Sequence, residues 1–249
     1  AQSTYSLVND GSGYVLTSAT PISTALGFVF SIGGWVKGNS PRCYLVGQAT
    51  VSIGINVVFN SGVLNFGHDS GAGGPAGWTC DLSDGGWHHL LIVGPSGWGH
   101  STDFILYIDG VAATPTTSND TFAPSTIGFV LGGRGSGSFG YVGQLDDWFV
   151  CASDASSHAA AIAGTPGVVG SSTFNIATLT NLILWRMEAG TGSTVADTSG
   201  NGNDGTITGG ITWSALNDVP PPLQAGAGQP SITSPTSSRS SLRSSLSPP

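Results

Sequence analysis

Asp197, Asn201, Asn203 and Asp204 crowd into one short run, Asp197-Thr198-Ser199-Gly200-Asn201-Gly202-Asn203-Asp204-Gly205. Carboxylates, side-chain amides and the unhindered carbonyls beside glycine are hard oxygen donors, and calcium gathers roughly six to eight of them. Asp146, Asp147 and Asp10 are more distant donors that folding could add. Asn-Gly and Asp-Gly are also turn formers that need no metal. The run therefore supports two expectations, a calcium loop and a plain turn, and calcium is the one cofactor the sequence admits.

Other constellations exclude more than they suggest. Hydrolysis of a glycosidic bond needs two carboxyl groups facing one sugar. The chain has a single Glu, Glu188, and Asp146 and Asp147 are consecutive in a strand-like segment, so they are expected on opposite faces. No enzyme is expected. The same geometry separates His88 from His89, and His68, His100 and His158 are scattered, so zinc is not expected either. Gly135-Ser136-Gly137-Ser138-Phe139-Gly140 matches a dinucleotide fingerprint as a string, but a strand-like segment follows it where a helix N-terminus is required. A hairpin loop is the expectation there.

Trp78 and Trp98 sit in glycine-rich stretches, 71–78 and 94–99, that read as loops. An indole in a loop can stack on the face of a sugar while polar neighbours such as His100 bond its hydroxyls. It can equally cap a core from the rim. Trp78, Trp98 and His100 are the candidate glycan-binding set; Trp35, Trp87, Trp148 and Trp185 lie in strand-like segments and read as core or sheet-surface residues.

The elements that must position these residues are short strands. Apolar alternation bounded by Gly, Ser, Asn, Asp and Pro repeats from residue 5 to about 213. In Phe28-Val29-Phe30-Ser31-Ile32-Gly33-Gly34-Trp35-Val36, positions 28, 30, 32 and 36 share one face, and Ser31 and Trp35 take the other. Asp109-Gly110 supplies two residues tolerant of positive φ, the chemistry of a tight hairpin. One helix is predicted, Ser153 to Ala163, with Ser153 as N-cap and Gly164 as its stop. Cys43, Cys80 and Cys151 are far apart without metal spacing, leaving buried thiols or one long-range bridge.

Composition agrees. The 249 residues are 39% hydrophobic and only 8% charged, with 39 glycines, which excludes both a charged disordered chain and a helical bundle. A net charge of −8 lacks the basic surface that displaces counterions from nucleic acid. No apolar run reaches the roughly 20 residues of a membrane helix, and no basic-then-apolar leader opens the sequence, so neither membrane insertion nor an export signal is expected.

Several segments together resemble the laminin G-like domain of the concanavalin A-like lectin/glucanase superfamily. They are Trp87-His88-His89-Leu90-Leu91-Ile92-Val93, Phe104 to Gly110, Ile127-Gly128, Gly143-Gln144-Leu145-Asp146-Asp147, the opening Asn9 to Val15, and Leu184 to Gly192 with Asp197 to Thr206. The resemblance covers roughly residues 5 to 214 and implies an all-β, two-sheet antiparallel jelly-roll sandwich. It also implies that the acidic calcium cluster of pentraxin-like relatives is missing here, since Gly132-Gly133-Arg134-Gly135-Ser136 stands in its place.

Domain organisation follows charge and composition. Residues 1–219 form the sandwich and carry four basic and fourteen acidic side chains. Residues 220–249 turn to Pro, Ser, Thr and Gly, with Arg239 and Arg243 as the only charges, and read as an extended tail. Its Leu223, Ile232, Arg239, Leu242, Arg243 and Leu246 are the residues expected to dock on an acidic partner surface, including neighbouring copies of this chain. A recognition fold with an attachment tail leads to the expectation of a non-enzymatic virion protein, such as a capsid decoration or tail protein of a bacteriophage. It would sit at the virion surface, contact capsid or other virion proteins, and bind cell-surface glycan. The alternative is a secreted bacterial adhesion or carbohydrate-binding module.

Overall fold

The computed structural model describes residues 4–17, 28–38, 42–48, 56–60, 62–67, 76–82, 84–97, 100, 103–115, 128–134, 139–164, 178–215 and 220. Their alternating pattern folds into sixteen short strands in two sheets, every pairing antiparallel. In chain order the strands are β1 (Leu7–Asp10), β2 (Tyr14–Leu16), β3 (Phe30–Lys37), β4 (Arg42–Gln48), β5 (Asn56–Asn60), β6 (Val63–Gly67), β7 (Ala76–Thr79) and β8 (Trp87–Gly94). They continue with β9 (Ile105–Ile108), β10 (Val111–Ala113), β11 (Phe129–Leu131), β12 (Val142–Cys151), β13 (Asn181–Trp185), β14 (Thr194–Val195), β15 (Gly205–Thr208) and β16 (Ile211–Trp213). The first sheet runs β10-β9-β8-β3-β12-β1-β16 with β13 also on β12; the second runs β14-β15-β2-β11-β4-β5-β6-β7.

The strands form where two-residue alternation lets one face leave water. Phe30, Ile32 and Val36 of β3, Leu90 and Ile92 of β8 and Leu145 and Val150 of β12 meet Leu45, Val57, Phe59, Phe129 and Leu131 of the second sheet in one buried cluster. Each such side chain contributes about 1.5–3 kcal/mol on full burial. Ser31 and Trp35 take the opposite face, as the alternation requires. Asp109 and Gly110 have φ of 50° and 80°, and they turn β9 into β10 as a tight hairpin.

β12 departs from simple alternation. Its register with β3 shifts between Asp146 and Phe149, and Asp147 sits at φ 47°. This bulge presents the rings of Trp148 and Phe149 to Gly34 and Gly33 on either face of β3, where any Cβ would collide with them. Asp146 and Asp147 therefore do not simply alternate. Asp146 is fully buried opposite Trp35, while Asp147 makes a 3.5 Å ion pair with Arg186.

The helix is shorter than predicted. A 3₁₀ turn, Ser156–His158, leads into α1 (Ala159–Ala163), and Gly164 ends it in the left-handed conformation. Asp154 Oδ1, rather than Ser153, accepts the Ser156 N–H at 2.9 Å. The carbonyl of Ser153 instead accepts the Ser31 hydroxyl, which fastens the segment to β3. Ala155, Ala159 and Ile162 then cover Leu91, Val93, Phe149, Cys151 and Leu184 on the outer face of the first sheet.

The late segment completes both sheets: β13 pairs with β12, β15 with β2 and β16 with β1. Cys43, Cys80 and Cys151 are buried free thiols, and burial pushes Cys80 up to about 12 and Cys151 up to about 11. Among the described residues no helix is long and apolar enough to cross a membrane. Leu223, Ile232, Arg239, Leu242, Arg243 and Leu246 lie outside the described residues; Pro220, which composition places at the start of the tail, is buried.

Candidate ligand-binding site

The Asp197 run is a turn whose donors and acceptors satisfy one another. Asp197 Oδ1 accepts the N–H groups of Leu184 and Ser199, both at 2.9 Å. Its Oδ2 accepts the Ser199 hydroxyl at 2.8 Å and the Asn203 N–H at 2.9 Å. Asp204 Oδ1 accepts the Asp197 N–H at 2.7 Å, and the side-chain amides of Asn201 and Asn203 both donate to the Leu182 carbonyl. Burial alone would raise the Asp197 carboxyl, but the hydrogen bonds from Ser199, Leu184 and Asn203 outweigh it and hold the group below the usual carboxylate range.

Asp197 as it stands offers no free oxygen to a calcium ion. Both oxygens of Asp197 already face N–H and O–H donors, and a cation would have to displace four of them. Asp146 is not brought to the run: it lies buried on β12 opposite Trp35, with Oδ1 accepting the Asp147 N–H at 2.8 Å. Among the described residues no three His, Cys, Asp or Glu side chains gather as a metal site.

The expected glycan set loses Trp78. Trp78 is not in a loop; it lies on β7 with 1% of its surface exposed, inside the core, and cannot stack on a ligand. The glycines before it disguised a strand. Trp98 lies outside the described residues. His100 is exposed, but its backbone closes a turn with Asp103, whose carboxylate accepts the His100 N–H at 2.8 Å.

A different surface carries the features of a site. Among the described residues three large apolar side chains are exposed: Val111, Phe139 at 46% and Val142 at 48%. Phe139 and Val142 share the approach to β12, and Val142 stands directly opposite Asp10 in the β1–β12 ladder. Phe139 has φ 56°, a conformation that costs a non-glycine residue roughly 1–2 kcal/mol and must be imposed by its surroundings.

What imposes it is a set of stitches between loops. The Phe139 carbonyl accepts the Tyr44 N–H at 2.8 Å, the Gly132 N–H bonds Leu45, and the Tyr141 N–H bonds Gly132. Arg134 lies 5.1 Å over the Tyr44 ring, and Tyr44 meets Phe139 at 6.3 Å between ring centroids. Asn9, buried, uses its whole amide: Oδ1 accepts the N–H groups of Gly11 and Gly13, and Nδ2 donates to the carbonyls of Gly13 and Gly132. A Cβ on Gly140 would collide with the Gly11 carbonyl, so only glycine allows the two loops to touch. On that rim Asp10 is exposed, and hydrogen bonds from the Ser12 hydroxyl and N–H hold its carboxyl below the usual value. The exposed groups here are thus the Phe139 ring, Val142 and, across the ladder from Val142, the ionised carboxylate of Asp10. Sequence reading passed over Phe139 because it sits in a glycine-serine stretch with no alternation to mark it.

Two further clusters lie elsewhere. His88 and His89 face opposite ways, as expected for neighbours on a strand. His89 is buried against Trp35, ring centroids 5.2 Å apart, and burial drives it down to about 4. His88 contacts Asp84 and Asp109. Burial raises the Asp147 carboxyl to about 6, against the pull of Arg186.

No family model matches the chain, and no curated protein does. Among solved structures it is similar to a candidate carbohydrate-binding protein from Bacteroides ovatus, with TM-score 0.59 and 12% identity, covering 89% of this chain and 62% of that one. It is similar also to a heptameric SAP-like pentraxin of Limulus polyphemus, with TM-score 0.47 and 15% identity over 66% of this chain and 84% of that one. Domains LG4-5 of the mouse laminin alpha1 chain give TM-score 0.42 and 19% identity over 59% and 40%. The fold is a two-sheet antiparallel jelly-roll sandwich, shared with the Bacteroides ovatus protein. The chain spans less than two thirds of the Bacteroides ovatus protein.

Proposed function

We propose that this domain is a non-catalytic recognition module that binds glycan at the rim formed by Phe139, Val142 and Asp10. The observation that carries the reading is Phe139, half exposed and held in a left-handed conformation by hydrogen bonds that leave its ring at the surface. An exposed ring can stack on the C–H face of a pyranose, and an ionised carboxylate can accept from its hydroxyls. The hydrogen bond from Tyr44 already fixes the Phe139 backbone, which lowers the ordering cost of binding at that residue. The sandwich shared with the candidate carbohydrate-binding protein of Bacteroides ovatus is compatible with this reading.

The setting we propose is the surface of a virion, with residues 220–249 as the attachment segment. It rests on the sequence: a low-complexity, Leu-punctuated, cationic stretch follows an acidic body. The alternative, a secreted bacterial module, is separated from it by asking whether the native protein sediments with particles or stays free.

A glycan array probed with the full chain tests the recognition reading. Binding to a defined set of sugars is expected, and bound sugars should be recovered uncleaved by chromatography. No retained sugar, or retention unchanged in Phe139→Ala, would overturn the reading.

A further inference from the structure

His88 stands between carboxylates that belong to two different loops. Its Nδ1 lies 2.8 Å from Asp109 Oδ2, on the turn between β9 and β10. Its Nε2 lies 3.0 Å from Asp84 Oδ1, in the segment leading into β8. An ionised carboxylate only accepts, so both contacts are hydrogen bonds only when both ring nitrogens carry a proton. A neutral ring has one N–H, and its bare nitrogen would face the other carboxylate lone pair to lone pair.

We propose that His88 is a proton-operated clasp whose cationic form ties the Asp84–Gly86 turn to the β9–β10 hairpin, and whose loss of one proton releases the Asp84 turn. The inference is independent of any ligand at the Phe139 rim.

The two carboxylates are held unequally, which decides where the clasp opens. Asp109 is fixed twice more, its Oδ1 accepting the His89 N–H at 2.8 Å and its own N–H donating to the His89 carbonyl at 2.9 Å. Among the described residues Asp84 has, besides His88, only the local bond from the Gly86 N–H at 2.7 Å, and its side chain is 65% exposed against 48% for Asp109. The remaining proton therefore stays with Asp109, and Asp84 is the partner that leaves.

The charged and titratable surroundings favour the closed form at mildly acidic pH. From the segment before β8 come Asp81, Asp84 and the Cys80 thiol; from the hairpin comes Asp109; from β3 comes Lys37, whose ammonium stands 5.8 Å over the Trp87 ring; from β8 itself comes buried, neutral His89. Of these, Asp84 and Asp109 act on the His88 ring. Partial burial alone would depress His88, but the hydrogen bonds and charges of Asp109 and Asp84 outweigh it and raise the group above the ordinary histidine value.

Nitrogen-15 NMR of the full chain across pH 5 to 9 tests the clasp. His88 is expected to be protonated at both nitrogens at the acid end and to titrate above the ordinary value. Amides from Asp84 to Gly86, corrected for intrinsic base catalysis, should become about fivefold more open on deprotonation, the equilibrium equivalent of one net hydrogen bond. Asp84→Asn should lower the His88 titration and remove the pH dependence without unfolding, since Asp84 is exposed. His88→Gln should hold the turn at its open level at every pH. A His88 with one bare nitrogen at pH 5, or turn amides that ignore both pH and Asp84→Asn, would overturn the proposal.

Discussion

Trp185 donates its indole N–H to the carbonyl of Asn203 at 3.0 Å, so one of the most deeply buried side chains of the core is tethered to the turn that follows it. Asp197 reaches the same strand from the other side, bridging Trp185 and bonding Leu184. The turn and the late strands consequently form one cooperative unit with the rest of the sandwich.

Truncation after residue 170 removes the partners of β12, β2 and β1 at once. It should abolish cooperative thermal unfolding, and Trp185→Ala in the full chain should cost roughly 3–5 kcal/mol. Calorimetry checks both; a truncated chain that melts like the full one would refute the unity of the fold.

Asp197→Ala strips four hydrogen bonds from one carboxylate and should destabilise the domain by about 2–3 kcal/mol. Because the folded Asp197 carboxyl is held below its unfolded value, its contribution is present above that unfolded value and is lost as pH falls through the folded one. Melting with calcium and with chelator should coincide. A rise in Tm with calcium would mean that the ion displaces these donors.

His89 gives the opposite kind of pH dependence from His88. Buried neutral and pushed from 6.5 down to about 4, it makes stability rise with pH across that window, because the unfolded chain binds the extra proton. The full effect is about 3 kcal/mol, gained between about pH 4 and 6.5 and flat above. Urea melts of a His88→Gln/Asp147→Asn variant isolate it, since neither the clasp nor the raised Asp147 carboxyl, which titrates with the opposite sign over the same range, remains; a stability independent of pH over that window would contradict the burial of His89.

Periodic packing was legible in the sequence, and the positions that break the period were not. Phe30, Ile32 and Val36 announced a strand and its buried face because alternation is the physical condition for burying one side, and Asp109-Gly110 announced a hairpin because few other residues accept both turn conformations. Trp78 misled because Gly77 beside it is buried strand rather than loop. The bulge at Asp147 depends on Trp148 and Phe149 settling over Gly34 and Gly33, a tertiary arrangement with no local signature. The rim is similar: Phe139 becomes a surface group only because Tyr44 and Asn9, distant in sequence, fix the loops around it.

Phe139→Gly separates a structural aromatic from a recognition residue. Glycine accepts φ 56° without strain, so unfolding free energy should be unchanged or raised by up to ~1 kcal/mol. A core aromatic truncated so severely would cost roughly 3–5 kcal/mol, and chemical denaturation distinguishes the two.

The most direct measurement is a chemical-shift titration of the labelled full chain with the strongest sugar from the array, run beside Phe139→Gly. Perturbations should map to Asp10, Ser12, Phe139, Gly140 and Val142 and disappear in the variant while its fold is intact. Perturbations confined to other surfaces, or binding that survives in the variant, would contradict recognition at this rim.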